Sequence, residues 1–279
     1  MEEPTPKQPW ADRLTRLDRR WIYLLVLLSV IFPLLFPLRL PIKTTRPSRG
    51  VYEAITALPN GSVMLFSFDY GPGTKVELHP MAIAAMHLAF RKDIKLVAMA
   101  LDPAGQAMAN EAFHEVAPLY KKEEGKDYVN LGYKAGNEAV LVSLGLNFRS
   151  TFPYDAQSQL QNPLMARVSK LDDFALVASW SAGSPGALEH IRLTQGAYGR
   201  PLVVGVTAVQ TPEFFPYYRA GQIKGLLGGL RGAAELEVLA GVPGTATPGM
   251  DAQSSTHFML AFLIILSNVA YWTQRRNAN

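Results

Sequence analysis

Apolar residues in this chain gather in short continuous runs that end at turn signals, instead of alternating with polar ones. Residues 174–186, FALVASWSAGSPG, show the habit: an apolar run halts at a Ser/Gly/Pro turn and feeds a new periodic segment, ALEHIRL. Such a run is the mark of a strand buried on both faces inside a parallel sheet. The junction recurs. Ala100 and Leu101 give way to Asp102 and Pro103, Trp180 is followed by Ser184 and Pro185, and Val209 by Thr211 and Pro212. Each time a residue suited to N-capping precedes a proline suited to the first helical turn.

Read in order, the pattern predicts strands at 62–68, 95–101, 128–133, 174–180 and 201–206, the last being PLVVGV. Helices are expected at 81–90 (too apolar for a surface helix), at 103–122, at 138–146 and over a short stretch at 163–171. Residues 147–163, rich in Gln and Ser, form the longest irregular stretch, and loops of that length tend to carry function. Strand alternating with helix predicts a three-layer α/β sandwich with a mainly parallel sheet, which resembles the Rossmann and flavodoxin doubly wound pattern. After an aromatic cluster at 214–218, GQIKGLLGGLRGAAELEVL reads as a helix over 221–239. Its glycines, Gly221, Gly225, Gly228, Gly229 and Gly232, would each cost roughly 0.8–1 kcal/mol relative to alanine. Close packing against another helix or a second subunit is the expected compensation; a loop broken at the paired glycines is the alternative.

Residues 21–38, WIYLLVLLSVIFPLLFPL, carry no charge and have about the length of a membrane helix. Pro33 and Pro37 should kink its last turns. No small-x-small cleavage site follows, so an uncleaved anchor is expected instead of a signal peptide. A second uncharged run, 257–272, ends in Tyr271 and Trp272 with Arg275 and Arg276 behind it. It is at the short limit for a span, with a buried or interfacial helix as its alternative. The implied layout is a basic tail (1–20), a transmembrane helix (21–38), a connector (39–61), the α/β domain (62–240), a linker (241–256), a second transmembrane helix (257–272) and a tail (273–279).

Two spans put both termini on one side of the bilayer. Lys7, Arg13, Arg16, Arg19, Arg20, Arg275 and Arg276 flank the spans there, against Arg39, Lys43, Arg46 and Arg49 on the other side. That bias favours cytoplasmic termini and an extracytoplasmic domain. The expected partners are the lipid bilayer and a protein partner or a second copy, engaged through 221–239 and the membrane helices.

Composition narrows the chemistry. With 279 residues and 48% hydrophobic content, the chain can bury one substantial core and still supply membrane segments. A formal net charge of +4, with no basic stripe interleaved with aromatics, gives no reason to expect nucleic acid. The absence of cysteine removes disulfides, thiolate metal ligands and a cysteine nucleophile. His79, His87, His114, His190 and His257 have neither HxH nor HExxH spacing, so neither a metal nor a cofactor is expected.

In such a sheet, ligands bind beyond the carboxyl ends of the strands. The residues brought there are Asp69, Gly71, Gly73, Asp102, Tyr133, Gly136, Ser181, Ser184, Thr207 and Thr211. Gly71, Gly73, Ser181, Ser184, Thr207 and Thr211 are the ligand-binding candidates, although capping and turning account for the same residue types. GPGT (71–74) lacks the spacing of a P-loop and of GxGxxG, because His79 and Pro80 should delay the helix. SWSAG (179–183) resembles the nucleophile elbow of α/β-hydrolases, with Ser179 in place of the first glycine. The resemblance implies Ser181 as nucleophile and requires a later acid and histidine; only His190 and His257 follow. Asp69 and Asp102, at two strand ends, are candidates for paired-carboxylate chemistry. The expectation is a membrane-anchored α/β domain that binds a ligand or partner as an accessory or assembly subunit without catalysis. The alternative is a membrane-tethered hydrolase or transferase with its site at the strand ends.

Overall fold

The computed structural model describes residues 18–38, 40–156, 162–242 and 244–278. The expected basic tail as far as residue 17, and residues 157–161 of the irregular stretch, lie outside them. The chain divides into two units, one drawn from Met1–Leu40 and Pro248–Asn279, the other from Pro41–Thr247.

The second unit opens with helix α2 (Arg46–Thr56), which follows α1 (Arg19–Leu35) of the first. It continues β1 (Val63–Asp69), α3 (Lys75–Arg91), β2 (Lys95–Ala100), α4 (Gly105–Val116), β3 (Tyr128–Tyr133), α5 (Glu138–Leu146) and α6 (Phe148–Thr151). Then come β4 (Leu176–Ser181), α7 (Ala187–Glu189) running on as a π-helix (His190–Ala197), β5 (Leu202–Val206), α8 (Thr211–Arg219), β6 (Gly225–Gly228) and α9 (Gly229–Ala240). The last helix, α10, is Ala246–Ala278.

The six strands are all parallel and lie in the order β3-β2-β1-β4-β5-β6. The chain steps outward from β1 to β3, then returns to β1's other side with β4. All of β1 is buried, as a central parallel strand must be. On one face Leu65, Val97, Val129, Val177 and Val204 join one apolar cluster with Leu144, Phe148 and Ile191 from the covering segments. On the other, Phe66 meets Trp180 edge-on at 5.6 Å, and Gly205 leaves room for the Trp180 ring and the Met81 sulfur.

Several elements differ from the sequence expectation, each for a local reason. Helix α3 begins at Lys75, after a 3₁₀ turn at Pro72–Thr74, and holds Pro80 inside it. A proline there removes one helical hydrogen bond; burial of Leu78, His79, Pro80, Met81 and Ala82 offsets the loss. The expected helix at 163–171 is instead two 3₁₀ turns, Met165–Arg167 and Leu171–Asp173. The Asp173 carboxylate accepts from Ser169 N, Ser169 Oγ and Lys170 N, which draws the backbone out of helical geometry.

The expected helix at 221–239 is a strand followed by a helix, and PLVVGV is therefore not the last strand. Its glycines pack against their own chain. A Cβ at Gly225 would overlap the backbone of Gly50 and Val51 on α2, one at Gly228 would overlap Thr211, and one at Gly229 would press on Ala208. At Gly232 it would meet Leu227, while Gly221 faces open space. The close approach that the glycines permit is thus met within the fold.

Of the terminal helices, α1 is 17 residues long, about 26 Å at helical rise. That is short of the roughly 30 Å of a bilayer's hydrocarbon. Among the described residues one helix, within α10, is long and apolar enough to cross a membrane. The expected 241–256 linker is helical from Ala246 because the buried Glu237 carboxylate accepts from Ala246 N at 2.9 Å and Thr247 N at 2.8 Å. It occupies the free amides that any helix start presents.

Candidate functional site

The chain's direction of travel across the sheet reverses between β1 and β4, and most of the predicted polar residues collect there. β1 and β4 pair in register, Ser67 with Ser179 and Asp69 with Ser181. Side chains alternate along a strand, so these four project from one face, while Phe66, Phe68 and Trp180 project from the other. All four polar residues are buried. The π-helix covers them with His190, whose side chain is fully buried, and Thr194.

Asp69 is the centre of this column. Its Oδ1 accepts from Leu101 N at 2.8 Å and from the Ser67 hydroxyl at 2.9 Å. Its Oδ2 meets no donor among the described residues. It lies 3.8 Å from His190 Nε2, which also has no hydrogen-bond partner, and that gap is too long for a hydrogen bond. The other imidazole nitrogen, Nδ1, sits 2.9 Å from Thr194 Oγ1.

Burial raises the Asp69 carboxyl from 3.8 to about 7, against the lowering effect of the Leu101 and Ser67 hydrogen bonds and with help from the charges of Asp102 and Glu189. Burial lowers His190 from 6.5 to about 4, and Glu189 opposes it. Between those values both groups are uncharged, so the contact is not an ion pair there.

The loop 182–186 closes over this column, with Gly183 and Ser184 exposed. Ser181 Oγ donates to Gly183 O at 3.0 Å, and Gly186 packs so tightly on it that a Cβ there would overlap the hydroxyl. Ser184 Oγ and Gly186 N both donate to the Glu189 carboxylate, at 2.6 and 2.7 Å. The geometry differs from a nucleophile elbow: Ser181 is fully buried, and the two nitrogens of His190 face Thr194 and Asp69.

The other predicted residues are placed as follows. Asp102 caps its own turn, accepting from Ala104 N at 2.7 Å, and Gly71 lies against Ala104. Gly73 is exposed, with open space where a Cβ would stand. Thr207 donates to Gln210 Oε1 at 3.1 Å, and Thr211 donates back to Thr207 O at 2.9 Å. Tyr133 ends β3, with Gly136 on the exposed turn beyond it. The strand ends thus bring together Asp69, Ser181 and Asp102, with Gly71 beside them. Ser184 is instead committed to Glu189.

Sequence reasoning left out Ser67, Glu189 and Thr194, and weighed His190 only as one of the two histidines that follow Ser181. The signal was present: Ser-x-Asp in one buried strand and Ser-x-Ser in another are the only period-two polar marks in otherwise apolar runs. His190 and Thr194, four apart, share a helix face. Also near the end of β1, Tyr70 OH bonds His79 Nδ1 at 2.8 Å inside the protein.

Two clefts open at the opposite end of the sheet. One of ≈ 410 Å³ is lined by Ser62, Arg167, Asp172 and Arg200, and one of ≈ 320 Å³ by Glu53, Pro201 and Lys224. The arginines of the larger are engaged, Arg200 with Asp172 and Arg167 with Gly61 O. The chain matches no family model, no curated protein and no solved structure.

Proposed function

We propose that this chain is a membrane-tethered, Rossmann-like α/β domain that binds a ligand or partner protein beyond the carboxyl ends of β1 and β4. It acts as an accessory or assembly subunit of a membrane complex. The strand order 3-2-1-4-5-6 is that of the Rossmann fold and not of the flavodoxin one, and in doubly wound sheets the crevice at the reversal is the habitual ligand site. The observation that carries the site half of the reading is the convergence there of buried polar groups, with Asp69 Oδ2, Ser179 Oγ and His190 Nε2 lacking a partner among the described residues, under a loop with exposed Gly183 and Ser184.

The tether rests on exposed apolar surface. In α10, Phe258, Phe262, Ile264, Ile265 and Trp272 are each at least 60% exposed. In α1 nearly every large apolar residue from Trp21 to Leu35 is exposed too, a surface suited to lipid. We take both helices to cross the bilayer, with the apolar residues Phe36, Pro37 and Leu38 continuing the span that α1 begins. Ser29 Oγ lies 3.4 Å from Thr256 Oγ1, the type of polar contact that joins membrane helices. The excess of Arg and Lys beside the spans on the terminal side then favours cytoplasmic termini.

The test is a thermal-shift screen of the full-length protein in detergent, with each hit repeated on Gly73→Trp. A side chain at Gly73 meets nothing within 4 Å, so tryptophan there crowds the crevice mouth and not the core. Hits at the strand ends should lose their shift in the variant. Shifts that all persist would remove the crevice as the binding site.

A further inference from the structure

The loop 182–186 is held shut by one carboxylate, that of Glu189, and by a main-chain bond to the end of β1. Ser184 Oγ and Gly186 N donate to the Glu189 carboxylate, and Ala182 N donates to the main-chain carbonyl of Asp69 at 3.1 Å. Directly beneath lie Asp69 Oδ2 and His190 Nε2, both buried, both without a hydrogen-bond partner, 3.8 Å apart. Two unsatisfied polar atoms facing each other in a core each carry a desolvation penalty. The helix that bears His190 is a π-helix over eight residues, a form that recurs at functional sites.

We propose that Asp69, packed against the neutral His190, is a proton-gated latch: while its carboxyl holds its proton the loop 182–186 stays closed, and loss of that proton to solvent opens it.

The charge balance supports this. With the proton on Asp69 Oδ2 and His190 neutral, the buried pair is uncharged. Its release to water leaves one negative charge on Asp69 with no cation to meet it. The ionisable groups that face Asp69 are Asp102, from the turn after β2, and Glu189, from the covering helix, both of which disfavour that charge. β4 and β5 bring only Ser179, Ser181 and Val206 to this level. The carboxyl, raised by burial to about 7, is poised to release its proton near neutrality. Hydration would relieve the new carboxylate, and the loop that adjoins it carries the exposed residues Gly183 and Ser184. Because the closed form binds the proton more tightly than the open one, raising the pH must favour opening. The inference needs no ligand, and it stands whether or not the crevice binds one.

The experiment is amide hydrogen exchange on the full chain in detergent micelles, between about pH 6 and about pH 9, corrected for the intrinsic rate of exchange. In the wild type, protection at Ala182, Gly186 and His190 should fall on the order of tenfold across that range, while β1 and β2 stay protected. Asp69→Asn, which keeps the Oδ1 contacts and cannot ionise, should hold the loop protected at every pH. His190→Gln, a second variant in case the first folds poorly, should leave the pH dependence in place because Asp69 still titrates. Constant protection in the wild type, or a fall of the same size in Asp69→Asn, would overturn the latch.

Discussion

The two faces of β1 and β4 are built by opposite rules although they belong to the same residues in alternation. One face carries Phe66, Phe68 and Trp180, three fully buried rings with Phe66 and Trp180 edge to face. The other carries Ser67, Asp69, Ser179 and Ser181, also buried, beneath His190 and Thr194. The first face gains its stability from contact area and ring geometry. The second spends burial on polar groups and leaves three of its atoms, Asp69 Oδ2, Ser179 Oγ and His190 Nε2, without partners. A parallel sheet needs neither of its faces to be polar. What the contrast teaches is that this column is expensive structure, kept at the one place where the strand order reverses.

The largest effect expected is on the apolar face. Trp180→Ala should lower stability by about 3–5 kcal/mol, because the fully buried ring fills a site walled by Phe66, Met81 and Gly205 and its removal leaves a cavity. Chemical denaturation of the detergent-solubilised chain measures it. A loss below about 1 kcal/mol would mean that this face is not the main source of the sheet's stability.

The polar face should reveal itself through pH. Asp69 is raised by burial above its unfolded value of 3.8 to about 7, so its contribution is fully present below 3.8 and is lost as the pH rises through 7. His190 is lowered by burial from 6.5 to about 4, so its contribution is present above 6.5 and is lost as the pH falls through 4. From about pH 4 to 6.5 the two slopes oppose and nearly cancel in the wild type. Each single variant uncovers the other group. Asp69→Asn should lose about 3 kcal/mol as the pH falls from 6.5 to 4, and His190→Gln should lose about 4 kcal/mol as it rises from 4 to 7. Unfolding midpoints across that range decide it: two variants sloping the same way would break the pairing.

How much of this was legible in the sequence follows from the range of the interactions. Apolar runs ending in Ser, Asp or Thr gave the strands and the parallel sheet, because burial on both faces is written locally. The polar marks at Ser67, Asp69, Ser179 and Ser181 were equally visible. What was not legible is that β4 returns beside β1, since the order of strands depends on crossovers that no local window contains. Without it Asp69 and Ser181 shared one end of the sheet but not a register, and the contact of His190 with Asp69 could not be read. The region 221–239 failed for the reverse reason. Its glycines were weighed as costs to a helix, whereas Gly225 sits in an edge strand where α2 comes close enough at Gly50 to exclude any side chain. Likewise Glu237 extends α10 backwards to Ala246 by a contact across nine residues of sequence, beyond the reach of a capping motif.

The smallest effects concern two serines on one face, two residues apart. Ser179 Oγ is buried and finds no partner, so Ser179→Ala removes an unsatisfied hydroxyl and should raise stability by about 1 kcal/mol. Ser181 Oγ donates to Gly183 O at 3.0 Å and supports Gly186, so Ser181→Ala should lower stability by about 1 kcal/mol. The opposite signs separate a face that is merely polar from one in which each group has been given a task. If both changes stabilise, Ser181 is no more tied to its loop than Ser179 is to its strand, and Glu189 is left as the side chain that holds the loop 182–186. If both destabilise, Ser179 has a partner such as an internal water, and the unpartnered part of the column shrinks to Asp69 and His190.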